Sequence, residues 1–485
     1  MKVYNTIKST ALKGLTFTGI MLTGIMLAGS SAVQAEDLYT LNGKVVSSES
    51  LTPEQLKQAA SLVKATADGL QAAADKMILN EYFDSQAASQ KKPRDELEQK
   101  AFEASEPTEK AIKDWYEANK AKIPATYEFE KIKGEIVKVV KQEAMKVKRD
   151  ELLAKLKKDG KFALIRGTPE AKSPTAVAGA VYIYNGKTIS TPELSPGLQQ
   201  QFFEIEYQAF EQRRAFADSV LIGNHFAELA KTKKKTVEEV QKAEFDVKEP
   251  SEKAMKEWYT KNKSHIPAGY DYDKIKTQIA GVIKDEATAA KRTALLAKLK
   301  NAGKYAFTGT TPASPTVEIK MDGYPFKGKD GAKLTIIEFA DFQCSHCKVA
   351  SEVLKKIPAK YTNQWKYVFI DYPINPSGIS KVVAEGSHCA ADQNKYWEYH
   401  YKAFDGQSTL DKDSPTKFAA DLKLDAAKFK TCFDGTKGKA LVEKGRLEGE
   451  RIGVSGTPYL IINGHRYLGA HTVAAFTKEF DTYLK

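Results

Sequence analysis

The sequence contains little cysteine and little histidine. Only four of its 485 residues are cysteine and seven are histidine. A tetrahedral zinc site takes four ligands, usually from two closely spaced pairs, whereas this chain has a single Cys-x-x-Cys pair, Cys344 and Cys347. Scattered positions favour structural roles for four histidines of the last third, which are His388, His400, His465 and His471. We therefore expect no metal site and no cofactor.

The sequence also lacks a basic patch with a recognisable nucleic-acid-binding motif. Its net charge is +12. The lysines are mostly interleaved with glutamates along predicted helices, which is typical of a solvated surface. We therefore expect no nucleic-acid partner.

The apolar stretch near the N terminus, residues 15–28, is too short for a good membrane span. Three lysines precede it and small residues follow it at 32–35, which is the order of a cleavable export signal. Ser30 stands where a lipoprotein signal would need cysteine. Residues 1–35 are predicted to be a signal peptide, and an uncleaved anchor is the alternative.

The Cys-x-x-Cys pair lies between a predicted strand and a predicted helix. Leu334–Phe339 is an apolar, β-branched run, and residues 348–360 carry apolar side chains at helical spacing. Unpaired N–H groups and the helix dipole favour a thiolate at the start of a helix. We predict that Cys344 is the reactive thiol, that His346 adds a donor or positive charge beside it, and that Cys347 resolves the mixed disulfide. A zinc half-site and an inert structural bridge are the alternatives.

A second motif follows far downstream. Residues 453–458 read Gly-Val-Ser-Gly-Thr-Pro and precede a strand-like segment, Tyr459–Ile462, and an Asn-Gly turn. With the Glu-Phe-Ala-Asp-Phe-Gln-Cys segment at 338–344 and the Cys-to-His segment at 389–400, this pattern resembles the DsbA-like thiol:disulfide oxidoreductases. These proteins have a thioredoxin-like fold. The resemblance covers the last third of the chain.

The resemblance implies further site residues. Thr457 and Pro458, joined by a cis peptide bond, would lie beside the cysteine pair and present backbone to an extended substrate. Glu338 would be a buried acid that relays protons to or from Cys347. Burying a lone carboxylate is costly without a function or partner, which favours the relay. The alternative for Glu338 is a partly exposed strand residue.

All four cysteines lie in the final third, and their even number suits an oxidising compartment. Cys389 and Cys432 remain once the Cys-x-x-Cys pair is assigned. We expect them to form a structural disulfide that clamps the helical insert. A reactive third thiol is the alternative.

An internal duplication precedes the cysteine-containing region. Pro107–Gly160 matches Pro250–Gly303 at an offset of 143 residues without a gap, and Asn42–Lys44 matches Asn185–Lys187 at the same offset. Both copies are predicted to be helical. Each has a capping residue before proline at a helix start, and each ends in a long amphipathic helix.

Each copy resembles the N-terminal chaperone module of the SurA and parvulin-associated family. The resemblance rests on Asn-Gly-Lys before a helix start, on Trp258-Tyr259, and on the terminal helix through Leu299. A prolyl isomerase domain often separates the last two helices in that family. Only a short segment separates them here, so we expect no isomerase activity from this region.

The predicted fold is multidomain, with two mainly α-helical repeat domains followed by an α/β thioredoxin-like domain with a helical insert. Its two linkers are rich in proline and small residues. The predicted boundaries are 1–35 for the signal peptide, 36–168 for the first SurA-like module, 169–180 for a linker, 181–308 for the second module, 309–320 for a linker and 321–485 for the DsbA-like domain.

The predicted function is that of an exported, periplasmic protein thiol:disulfide oxidoreductase. Its expected partners are cysteine-containing unfolded or folding exported proteins and a membrane redox partner that recycles it. The helical modules would bind unfolded clients or form a homo-oligomer. Disulfide isomerase or reductase activity is one alternative, and a holdase chaperone with a subsidiary redox domain is another. Ser345-His346 stands where the family's strongest oxidants carry Pro-His, and the sequence leaves the redox direction open.

Overall fold

The computed structural model describes residues 37–485 apart from short gaps. These gaps are residues 125–126, 167–178, 264–265, 267–268, 358 and 362. The predicted signal peptide and most of the first predicted linker, residues 169–178, lie outside the described residues.

Residues 37–164 and 180–307 contain the same elements in the same order. The first set comprises β1 (Asp37–Leu41), β2 (Lys44–Ser47), α1 (Pro53–Gln90), α2 (Arg94–Phe102), α3 (Glu109–Asn119), α4 (Phe129–Asp159) and β3 (Ala163–Leu164). The second set comprises β4 (Ala180–Tyr184), β5 (Lys187–Ser190), α5 (Pro196–Lys233), α6 (Val237–Phe245), α7 (Glu252–Asn262), α8 (Tyr272–Ala302) and β6 (Ala306–Phe307). Each element begins 143 residues after its counterpart, as 180 follows 37.

Side-chain caps set the starts of these helices. The Thr52 hydroxyl accepts a hydrogen bond from the backbone N–H of Gln55, whose side chain accepts one from the N–H of Thr52. Thr108 caps α3 by accepting from the N–H of Ala111. Each such cap stabilises a helix by about 1 kcal/mol because it satisfies a backbone donor that has no partner within the helix.

Each three-stranded sheet combines two strands from one set of elements with one strand from the other set. Strand β1 pairs with β2 and with β6, so that Tyr39 lies opposite Phe307. Strand β4 pairs with β5 and with β3, so that Tyr182 lies opposite Leu164. Residues 37–164 therefore do not complete a sheet by themselves. The module boundaries drawn from the sequence stay predictions.

The described chain forms two compact units. The first contains the described residues within 37–68, 78–160 and 208–311, and the second contains those within 69–77, 161–207 and 312–485. Helix α5 begins in the second unit. The C-terminal domain and the first turns of α5 therefore belong to the same compact unit.

Residues 321–485 form an α/β domain around a five-stranded sheet. The elements are β7 (Phe326–Gly328), β8 (Leu334–Ala340), α9 (Ser345–Lys355), β9 (Trp365–Asp371), α10 (Ile379–Ala391), α11 (Tyr396–Asp405), α12 (Ser414–Asp421), α13 (Ala426–Asp434), α14 (Lys437–Ile452), β10 (Tyr459–Ile462), β11 (His465–Arg466) and α15 (Val473–Leu484). The strand order is β11-β10-β8-β9-β7. Strand β8 runs parallel to β9 and antiparallel to β10. Helices α10 to α14 form an insert between β9 and β10.

Alternation along β8 divides the core of this domain between the two faces of the sheet. Ile336 and Ala340 join one buried cluster, whereas Ile337 and Phe339 join the other. Successive side chains of a strand point to opposite faces, so a strand buried on both sides reads as an unbroken apolar run. Glu338 is the exception in this run, and it is fully buried.

The helix after the cysteine pair differs from its predicted bounds. Helix α9 begins at Ser345, because Cys344 already serves as its N-cap with extended backbone. It ends at Lys355 rather than at residue 360. Pro358 follows closely, and the residue before a proline disfavours helical backbone.

No helix in the described ranges combines the length and apolar character needed to cross a membrane. Across the same residues, no group of three or more His, Cys, Asp and Glu side chains could hold a metal ion.

Candidate active site

Strand β8 and helix α9 position the cysteine pair. The backbone N–H of Cys344 donates to the carbonyl of Asp341 at 3.0 Å, which closes the turn between strand and helix. The buried Asp341 carboxylate accepts from the N–H groups of Gln343, Ile374 and Asn375. The carboxylate therefore ties the cysteine turn to the loop that follows β9.

The two thiols differ in exposure and acidity. Both are free, with Cys344 half-buried and Cys347 fully buried. A hydrogen bond from the Cys347 thiol, helped by the backbone N–H groups of Cys347 and His346, lowers the pKa of Cys344 to about 5. Burial, the Cys344 sulfur and the Glu338 carboxylate raise the pKa of Cys347 well above its ordinary value. Cys344 is thus the sulfur that carries charge near neutral pH, as helix-start thiols do.

The loop before β10 meets the first cysteine. The Cys344 thiol donates to the carbonyl oxygen of Thr457 at 3.3 Å. The Thr457–Pro458 peptide bond is cis. Strand β10 begins directly after Pro458 and pairs with β8, with Tyr459 opposite Phe339. This pairing brings the two distant motifs together.

Glu338 lies on β8 below the cysteine turn. It is fully buried, and one carboxylate oxygen accepts from the Tyr367 hydroxyl at 2.6 Å. The other oxygen has no hydrogen-bond partner among the described residues. Burial raises the pKa of Glu338 to about 8, and the charge of Cys344 adds to the shift. The carboxyl group is therefore able to hold or release a proton near neutral pH.

The histidine of the motif faces solvent. The side chain of His346 is exposed, and its backbone N–H is one of the donors that stabilise the Cys344 thiolate. His471 lies close enough to His346 for their charges to interact, and burial lowers its pKa. Deeper in the domain, the His400 ring forms a hydrogen bond with the Ser351 hydroxyl at 2.9 Å, and the His388 ring forms one with the Asp371 carboxylate at 2.8 Å.

Three further residues hold the site in place. The Gln407 amide donates to the carbonyls of Phe342 and Cys344 at 2.8 and 2.9 Å. Gln407 lies just after α11, so these bonds connect the end of that helix to the cysteine turn. Asp341 and Tyr367 are the other two. A carboxylate directly after a buried strand was a usable signal for Asp341, whereas tertiary contacts alone bring Gln407 and Tyr367 to the site.

The other two cysteines belong to the insert. A disulfide joins Cys389 on α10 to Cys432 on α13, across 43 residues of sequence. Cys389 is buried within the core cluster, and Cys432 packs against it. The structure thus places the Cys389–Cys432 disulfide in the insert, apart from the cysteine turn. Five predicted residues lie together at that turn, and these are Cys344, Cys347, Glu338, Thr457 and Pro458.

Comparison with known proteins locates this domain among described families. The family model described as Thioredoxin matches residues 320–482. The C-terminal third is a thioredoxin-like domain. Disulfide bond formation protein D of Bacillus subtilis is 27% identical over 154 residues, which are 30% of this chain and 69% of that protein. The Na(+)/H(+) antiporter NhaA 3 of Salinispora tropica is 26% identical over 162 residues, or 33% of this chain.

Solved structures match over a similar share of the chain. BdbD from Bacillus subtilis, in its oxidised form, has a TM-score of 0.32 and 21% identity, and the match covers 35% of this chain and 98% of BdbD. Alpha-DsbA1 of Wolbachia pipientis has a TM-score of 0.31 and 22% identity, with coverages of 34% and 92%. The chain spans about a quarter of the length of the first curated relatives it matches, from 25 to 26%.

Proposed function

We propose that this protein is a DsbA-like thiol:disulfide oxidoreductase that exchanges disulfides with cysteine-containing polypeptides. The observation that carries the proposal is the asymmetry of the cysteine pair. Cys344 is half-buried with a pKa lowered to about 5, while Cys347 is buried with a raised pKa. A stable first thiolate makes Cys344 a good leaving group from a mixed disulfide. The similarity to disulfide bond formation protein D supports the same class of reaction.

The oxidising reaction starts from the Cys344–Cys347 disulfide. A substrate thiolate attacks the Cys344 sulfur, the Cys344–Cys347 bond breaks, and the electron pair leaves on Cys347, which then takes up a proton. A second substrate thiolate attacks the substrate sulfur of the mixed disulfide and releases the Cys344 thiolate. The substrate gains one disulfide, and the protein is left as the dithiol.

Three further groups have roles in this reaction. Glu338 exchanges the proton of Cys347, because its charge interacts with that thiol and its own pKa is about 8. The backbone of Thr457 and Pro458 receives the extended substrate, because the Thr457 carbonyl already contacts the Cys344 thiol at 3.3 Å. His346 contributes its backbone N–H to the thiolate.

The helical part of the chain is assigned two SurA-like modules that hold unfolded clients or mediate self-association. The equal offset of every element in residues 37–164 and 180–307 supports two copies. The export signal read from residues 1–35 supports a periplasmic location and recycling by a membrane redox partner. Determination of the molar mass in solution tests self-association, and a monomer would rule it out.

The test of the exchange reaction is a trap for the mixed disulfide. A Cys347→Ser variant is mixed with a cysteine-containing peptide supplied as its disulfide with a small thiol. The Cys344 thiolate is expected to attack the peptide sulfur, the small thiol leaves as a thiolate, and the Cys344–peptide disulfide accumulates because no second protein thiol releases it. The matched Cys344→Ser variant is expected to accumulate none, since Cys347 is buried and protonated. Trapping by Cys344→Ser, or by neither variant, would contradict the proposed function.

A further inference from the structure

One face of helix α5 contacts the loop that precedes β10. Gly197, Gln200 and Glu204 are spaced by three and four residues, so they lie on the same side of the helix. A Cβ atom at Gly197 would lie 3.0 Å from the backbone nitrogen of Gly453. The Gln200 amide donates to the carbonyl of Pro315 at 3.2 Å, and its side chain is buried. All of these residues belong to the second compact unit.

The Glu204 carboxylate contacts Ser455 within residues 453–458, which we name the Pro458 loop, and Arg466 beyond it. One oxygen lies 3.1 Å from Nε of Arg466, and the other accepts from the Ser455 hydroxyl at 3.5 Å. The Arg466 guanidinium in turn stacks on the ring of Tyr459, with its central carbon 3.7 Å from the ring centroid. Ser455 lies just before Thr457, and Tyr459 follows Pro458 directly. The carboxylate is therefore linked to the backbone on both sides of Thr457-Pro458.

The Glu204–Arg466 pair is shielded from solvent. Its side chains are 22% and 12% exposed. Arg466 also donates to the carbonyls of Leu460 and Tyr467, at 3.1 and 2.8 Å, so its guanidinium is fixed on the domain side. Charge-assisted hydrogen bonds at a shielded position are stronger than surface ion pairs.

We propose that Glu204 is a positioning residue that holds the Pro458 loop for an extended polypeptide substrate. The inference rests on the proposed function, because it assigns a role to the loop that receives the substrate. A polypeptide that lies along the loop depends on the position of the Thr457 carbonyl. A small disulfide makes no such extended contact and depends on the loop only through the hydrogen bond between Thr457 and Cys344. Glu204 therefore affects exchange with polypeptides more than it affects the chemistry of the thiol.

The test compares two substitutions on α5 in the full-length protein. Glu204→Gln removes the charge that joins Arg466 and Ser455. Glu206→Gln is the matched control, because Glu206 pairs with Arg166 at 2.5 and 2.6 Å with similar exposure, 23% and 25%. Exchange rates are measured with hydroxyethyl disulfide and with an extended peptide that contains a mixed disulfide. The pKa of Cys344 is followed through the ultraviolet absorbance of the thiolate.

We expect Glu204→Gln to slow exchange with the peptide about tenfold. A hydrogen bond to a charged group stabilises a bound state enough to change a rate by about tenfold or more. Its rate with hydroxyethyl disulfide and its Cys344 pKa should change much less than its rate with the peptide, because they depend on the loop only through the Thr457 hydrogen bond. Glu206→Gln should change none of the three. Ser455→Ala, which removes only a hydroxyl, should give a smaller loss with the peptide alone.

Three outcomes would overturn the assignment. These are equal losses with both substrates, no loss with the peptide in either Glu204→Gln or Ser455→Ala, and an equal loss in Glu206→Gln. If the unmodified protein reacted with neither substrate, the proposed function would fail first, and this inference would fail with it.

Discussion

The Cys344 thiol lies 3.3 Å from the carbonyl oxygen of Thr457, a residue 113 positions further along the chain. The pairing of β10 with β8 brings these two residues together, because Leu460 lies opposite Glu338. Sequence motifs that bracket the whole helical insert therefore meet at the Cys344 sulfur. The acid, the buried thiol and the loop backbone all lie around it.

Replacement of Cys347 tests the origin of the low Cys344 pKa. The hydrogen bond from Cys347 is the largest contribution to that pKa of about 5. In Cys347→Ala we expect the pKa to rise toward the ordinary cysteine value of about 8.5, because the donor is lost and burial remains. Cys347→Ser keeps a donor and should show a smaller rise. The ultraviolet absorbance of the thiolate measures both, and an unchanged midpoint near pH 5 in Cys347→Ala would contradict the assignment.

Glu338 should make the stability of the folded protein fall as pH rises. Its folded pKa is raised to about 8, so the folded state keeps a proton that the unfolded state loses above about pH 4.3. The unfolding free energy, relative to Glu338→Gln, should decrease by about 1.4 kcal/mol for each pH unit in that window.

Urea unfolding of the oxidised protein at several pH values measures this decrease. The oxidised form is used because neither active-site thiol titrates in it. If the unfolding free energy of the unmodified protein, relative to that of Glu338→Gln, stayed constant or increased as pH rises, Glu338 would be ionised in the folded state.

Removal of the Tyr367 hydroxyl should make Glu338 a weaker acid. That hydroxyl donates to the carboxylate at 2.6 Å and lowers its pKa, against the larger effect of burial. In Tyr367→Phe we expect the pKa of Glu338 to rise above its value in the unmodified protein. Infrared titration of the carboxyl band measures the shift. Tyr399→Phe is the control, because the buried Tyr399 hydroxyl donates to the carbonyl of Val383 instead.

The Cys389–Cys432 disulfide should stabilise the insert. It closes a loop of 43 residues, and the chain-entropy estimate for such a loop is about 4 kcal/mol. We expect the Cys389→Ala, Cys432→Ala variant to lose a comparable part of its unfolding free energy in urea. A variant as stable as the unmodified protein would show that the bridge does not constrain the domain. Folded, unreduced protein should show no reactive thiol at either position.

The elements at the active site could be predicted because their signals are local. The apolar run from Leu334 and the Asn-Gly turn after Ile462 mark strands and a hairpin by short-range chemistry alone. Strand β10 occupies the predicted residues, Tyr459–Ile462, and β8 extends the predicted strand by one residue to Ala340.

The rest depended on tertiary contacts that leave no periodic pattern. Gln407 lies on a short turn between helices, and nothing near it in sequence indicates that it bonds the Cys344 carbonyl. Strands β3 and β6 have two residues each, too few to show alternation, so their exchange between the two sheets could not be inferred. Glu204 lies on a helix whose apolar spacing describes packing and gives no information about the Pro458 loop.

The central claim is that the site stabilises the Cys344 thiolate and so makes the dithiol a favourable product. Equilibration of the full-length protein with glutathione buffers, with the Cys389–Cys432 pair left intact, measures the reduction potential of the Cys344–Cys347 couple. A Cys344 pKa of about 5 lies between the values of thioredoxin, about 7, and of DsbA, about 3.5. We therefore predict a potential between about −270 and about −120 mV. A potential at or below about −270 mV, the value of thioredoxin, would contradict the account. The Cys344 thiolate would then stabilise the reduced form no more than it does in thioredoxin.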